Sequence, residues 1–109
     1  YTRRGADADK IIKAKLRVYE SNDGRCPLCG GRFDYNRMEL HHVLPVARFG
    51  DLLHDERNMM LLCHGCHKEV HCNPWLNIRL MQEKAKEIGI ELKDRYNYGE
   101  ENYAGYHLP

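Results

Sequence analysis

Residues 63–71 read Cys63-His64-Gly65-Cys66-His67-Lys68-Glu69-Val70-His71. Thiols two residues apart and imidazoles four apart share this run, and both spacings suit a metal ion. Cys63-x-x-Cys66 has a counterpart upstream in Cys26-Pro27-Leu28-Cys29-Gly30-Gly31. Two such knuckles, each in a turn with glycine nearby, can surround one ion with four thiolates, the donor set of a structural zinc site. The long separation between Cys29 and Cys63 is no obstacle, because loop-closure entropy grows only logarithmically with length. Disulfides, free thiols or a redox Cys-x-x-Cys pair are the competing readings. Cys63-x-x-Cys66-His67 also matches a haem-attachment pattern, which would leave the first cysteine pair without a role. Cys72 stands apart as a plain thiol. Thiolate ligation implies a reducing, intracellular, cytoplasmic setting.

The histidines form a second group. His67 and His71 lie at i, i+4, so a helix presents both imidazoles on one face. His41 and His42 are adjacent, so on a strand they point to opposite sides. Three neutral imidazoles with open positions make a Lewis-acid site, and a fourth near it can act as a general base. His54, His64 and His107 lack such a context and read as ordinary surface residues.

The rest of the chain sets limits. It has 109 residues, five cysteines, seven histidines and a net charge of +1. That length fits one small domain, which usually needs metal or disulfide staples. No apolar run approaches the roughly 18 residues of a membrane span, and no signal-peptide core is present. Residues 1–25 carry +3, while 26–72 and 73–109 carry −1 each. This is not the footprint of bulk electrostatic binding to nucleic acid. The start at Tyr1 suggests a piece of something longer.

Four segments are expected. Residues 1–25 form a basic helical lead-in, capped by Asp7 and Asp9, with Ile12, Leu16 and Tyr19 on its apolar face. Residues 26–72 form the core. There Met38–Val43 is a strand with Met38, Leu40 and His42 on one face. Residues 46–57 are a polar loop, Met59–Leu62 a short buried strand or turn, and 63–66 a tight turn before a helix from His67. Residues 73–93 form a C-terminal helix, entered at Asn73-Pro74 and ended by Gly89. Residues 94–109 are an irregular tail whose Tyr96, Tyr98, Tyr103 and Tyr106 offer stacking surfaces.

Glu39-Leu40-His41-His42-Val43-Leu44-Pro45, then Asn58-Met59-Met60-Leu61-Leu62-Cys63, then Cys66 to His71, resembles the HNH endonuclease motif over about residues 26–71. The resemblance implies a small α+β fold. Its centre is the ββα-metal (His-Me finger) core, with flanking helices and, in this variant, a four-cysteine structural zinc site. It assigns His41, His67 and His71 to a catalytic divalent ion, and His42 to the general base. Asn58 pins the loop and helps orient that base, and Glu39 supports the metal site. Phe49-Gly50 stands where many members have a Gly-Gly pair.

The activity implied is metal-dependent hydrolysis of DNA, leaving 5′-phosphate and 3′-hydroxyl ends. Mg2+ or Mn2+ would serve, and Zn2+ or Ni2+ would also bind such a site. Arg48 and Arg57 are candidates for phosphate contact. The lead-in running into Cys-Pro-Leu-Cys-Gly resembles the endonuclease domain of group II intron-encoded reverse transcriptases. That resemblance implies intron RNA and reverse transcriptase domains as partners and no membrane. A free-standing phage or restriction-type HNH nuclease, and a non-catalytic zinc-ribbon DNA-binding module, are the alternatives.

Overall fold

Short apolar side chains and a closed loop bring the two halves of the motif together. The computed structural model describes residues 6–92, with side chains from Ala8 onward. Strands β1 (Met38–His42) and β2 (Met59–Cys63) pair antiparallel, with Met38 opposite Cys63 and His42 opposite Met59. Helix α1 (Ala6–Ser21) packs on β2, and α2 (His64–Cys72) follows β2 directly. Helix α3 (Pro74–Ile88) packs against α2. The result is a small α+β fold, two strands and a helix at its centre with a helix on either side.

The core is built from Val43, Leu44, Leu61, Leu62, Val70 and Met81, all at most 2% exposed. Phe49 is completely buried and Leu52 nearly so. The segment expected to be a polar loop therefore contributes to the core. It contains two short 3-10 turns, Gly50–Leu52 and Glu56–Asn58. Phe49, in place of a more flexible glycine, anchors the loop by burying its ring.

Asn58 closes the same loop. It is fully buried. Its Oδ1 accepts from the Leu44 amide at 2.7 Å, and its Nδ2 donates to the Leu44 carbonyl at 3.0 Å. The Val43 amide donates to the Asn58 carbonyl at 2.9 Å, extending the ladder beyond the strands. One side chain thus satisfies both backbone groups of a buried residue.

Two expectations need correction. Asp7 and Asp9 lie within α1, not ahead of it. The apolar face of α1 is also different. Ile11, Ala14 and Val18 are buried, whereas Ile12 and Leu16 are 59% and 47% exposed. Small Ala14 lets the helix approach closely. Tyr19 stays at the boundary, where its hydroxyl donates to the Phe33 carbonyl at 2.8 Å. The largest apolar residues marked the wrong stripe because close approach favoured the smallest one.

The second knuckle is not a turn before a helix but the start of the helix itself. Cys63 is the N-cap of α2, and Cys66 lies in its first turn. Asn73 ends α2 and caps α3, its Oδ1 accepting from the Leu76 amide at 3.1 Å. Gly89 ends α3 in the left-handed region at φ 88°, a conformation that favours glycine. The tyrosines of 94–109, His107, Arg3 and Arg4 lie outside the described residues.

Replacing Asn58 with Ala should leave the Leu44 amide and carbonyl buried without partners. The expected cost is about 3 kcal/mol, read from urea unfolding. Phe49→Ala should cost a similar amount, about 3–4 kcal/mol, through the cavity it leaves. Unfolding midpoints equal to the parent's would show that the loop is not anchored as described.

Candidate metal centres

Two clusters of ligating side chains meet on α2. In the first, the sulfur atoms of Cys26, Cys29, Cys63 and Cys66 all lie within 4.8 Å of one another. Cys29 Sγ and Cys63 Sγ are 3.9 Å apart. Tetrahedral zinc–thiolate geometry, with bonds of about 2.3 Å, sets sulfurs roughly 3.8 Å apart. The first knuckle is shaped by its backbone. The Cys26 amide donates to the Gly31 carbonyl and the Gly30 amide to the Cys26 carbonyl, each at 2.8 Å. Gly30 adopts φ 76°, which turns the chain between them. The second knuckle uses the helix start, where positions i and i+3 share a face and the dipole favours thiolate.

The thiols titrate unevenly. Burial pushes Cys26 up, but the backbone amides of Cys63, Cys29 and Leu28 outweigh it and draw it down to about 7. Cys66 is pushed up, first by burial and then by its cysteine neighbours. A cation among the sulfurs would favour the Cys66 thiolate that burial and its neighbours oppose. The geometry and the donor set both fit zinc.

The second cluster is His41, His67 and His71, whose ligating nitrogens also lie within 4.8 Å of one another. His41, on β1, is 7% exposed, and its Nε2 has no hydrogen-bond partner. Burial, then repulsion from His67, His71 and His42, lowers its pKa to about 4, so the ring is held neutral. His67 Nε2 and His71 Nε2 are 3.0 Å apart. Ring nitrogens this close face each other through one shared proton or one cation. His67 Nδ1 is 2.6 Å from Glu39 Oε1. The carboxylate lies below its usual range because His67 and His64 both bond to it. It accepts the Nδ1 proton and so leaves the lone pair on His67 Nε2, as carboxylate partners of metal-binding histidines do. An orphaned buried nitrogen and two converging lone pairs fit a divalent ion.

His42 points elsewhere. Its Nε2 lies 3.0 Å from the Leu53 carbonyl. A carbonyl only accepts, so Nε2 carries the proton and Nδ1 of the neutral ring keeps its lone pair. Burial lowers the pKa of His42, the Leu53 bond raises it, and nearby His54 lowers it again. His41, His42, His67 and His71 line an open cleft of about 480 Å³. Its remaining wall includes Pro45, Val46 and Ala47 from the loop, and Asn77 and Met81 from α3.

Sequence reading missed Asn77, because no motif spacing links α3 to the cleft. It also set aside His64, which bonds Glu39 at 2.8 Å. Arg57 is tied to Asp55, with Nη2 at 2.7 Å from Oδ2, within the turn leading to Asn58. Arg48 is exposed on the loop.

Comparison with protein families places this geometry. Residues 26–73 match the family model described as HNH endonuclease. That segment is similar to HNH endonuclease domains. No match was found among curated proteins or solved structures. The HNH segment spans both strands, the loop and α2, and therefore includes both clusters. No helix among the described residues is long and apolar enough to cross a membrane.

Metal analysis of the folded chain should find about one tightly held zinc per molecule. Cys66→Ser should lose that zinc and melt at a lower temperature. A zinc-free chain that melts like the zinc-loaded one would remove the cysteine site.

Proposed function

We propose that the chain is a metal-dependent DNA endonuclease with His41, His67 and His71 as ligands of the catalytic ion and His42 as general base. The convergence of His41, His67 and His71 beside His42 in one cleft carries this reading. A non-catalytic zinc ribbon has no need of a second, histidine-built centre. Bound Mg2+ or Mn2+, or Zn2+ or Ni2+ in the same ligands, would supply Lewis-acid stabilisation of charge on the phosphate and leaving oxygen.

The protein groups then have separate tasks. His42 takes a proton from the attacking water at Nδ1, while the Leu53 carbonyl holds its other nitrogen. Leu53 belongs to the loop that Asn58 pins, so Asn58 acts on His42 through the backbone. Glu39 orients His67. Attack on phosphorus with departure of the 3′ oxygen gives 5′-phosphate and 3′-hydroxyl ends. The likeness of the lead-in to intron-encoded reverse transcriptases supports nicking of one strand, with intron RNA and reverse transcriptase domains as partners, and thiolate ligation supports a reducing, cytoplasmic setting.

No lysine or arginine lines the cleft among the described residues. Substrate held there depends little on released counterions, so nicking should respond weakly to salt. Raising salt fourfold should change KM by roughly tenfold or less, against the 1,000-fold or more seen with many phosphate contacts. A steep salt slope would show that a basic surface, not the cleft, supplies the grip.

His42→Ala should slow plasmid nicking roughly 100- to 10,000-fold. Metal content at both clusters should stay the same. A variant that nicks as fast as the parent would remove His42 as the base.

A further inference from the structure

His64 lies between two cysteines of one cluster and touches the support of the other. Its Nδ1 is 2.8 Å from Glu39 Oε2, while His67 Nδ1 is 2.6 Å from Oε1 of the same carboxylate. An ionised carboxylate only accepts, so both imidazoles donate and each oxygen is engaged once. The Glu39 side chain is 40% exposed. A carboxylate that accessible, held at one oxygen alone, turns freely about its terminal torsion, which is broad and two-fold. The second donor fixes its plane and therefore the direction of the His67 bond.

His64 is placed by the knuckle. It is the first residue of α2, directly after the N-cap Cys63 and two before Cys66. Although its side chain is 79% exposed, its backbone is set on both sides by residues of the sulfur cluster. We propose that His64 is a positioning residue for the three-histidine centre, acting through Glu39 on His67. The assignment rests on the reading of His41, His67 and His71 as metal ligands. It gives the histidine centre a geometric dependence on the cysteine knuckle, transmitted through one side-chain pair.

Co2+ binding to the zinc-loaded full chain tests this, with visible absorption reporting the histidine centre. His64→Ala should weaken Co2+ binding roughly three- to tenfold, less than the loss expected for a direct partner of a ligand. His64→Asn keeps a side-chain N–H close to the position of Nδ1 and should return the affinity to within about twofold of the parent's. Zinc content and melting temperature should match the parent in both variants. Three results would each overturn the proposal: His64→Ala binding Co2+ like the parent, His64→Asn failing to restore an affinity lost in His64→Ala, or zinc leaving with the imidazole. A parent chain that binds no Co2+ at the histidines would instead overturn the ligand assignment beneath it.

Discussion

The Asn58 carboxamide holds Leu44 by both of its backbone groups, and much of the cleft depends on that closure. A fully buried amide that lost either bond would leave a polar atom without water or partner. The pairing therefore fixes where the loop leaves β1 and where it returns to β2. Within those limits Phe49 drops into the core and the Leu53 carbonyl reaches His42. The Leu53 carbonyl that meets the His42 imidazole belongs to the loop closed by Asn58.

Helix α2 imposes the second constraint. Its N-cap and first turn supply Cys63 and Cys66, and the following turns supply His67 and His71. Both clusters share one short, rigid element, so a displacement of one end moves the other. Their chemistry differs all the same. The sulfurs form a four-donor set able to close around an ion, whereas three imidazole nitrogens would leave positions open towards the cleft. One helix carries a site suited to holding the fold and a site suited to reaction.

The weak net charge takes on meaning beside this architecture. A chain with a net charge of +1 offers little bulk electrostatic attraction to nucleic acid. The cleft has histidines, apolar loop residues and an asparagine in its wall, and no basic side chain among the described residues. Asp55 engages Arg57 within the loop, so that cation helps shape the turn before Asn58.

Sequence spacing alone marked the candidate donors, and the family resemblance chose His41 over His42 among them. Cys-x-x-Cys and His-x-x-x-His are local patterns whose meaning follows from chain geometry over a few residues. The alternation along β1 likewise separated His41 from His42, and Asn73-Pro74 and Gly89 marked the ends of α3. Tertiary structure decided what depended on distant neighbours. It chose Ala14 over Ile12 and Leu16 as the face of α1, because helix approach depends on the surface it meets. It buried Phe49 in a segment that reads as polar, and brought Asn77 into a cleft that no motif links to it. It also gave His64 a carboxylate partner 25 residues away in sequence. Local periodicity carries no information about such contacts, since they exist only once the strands have paired and the loop has closed.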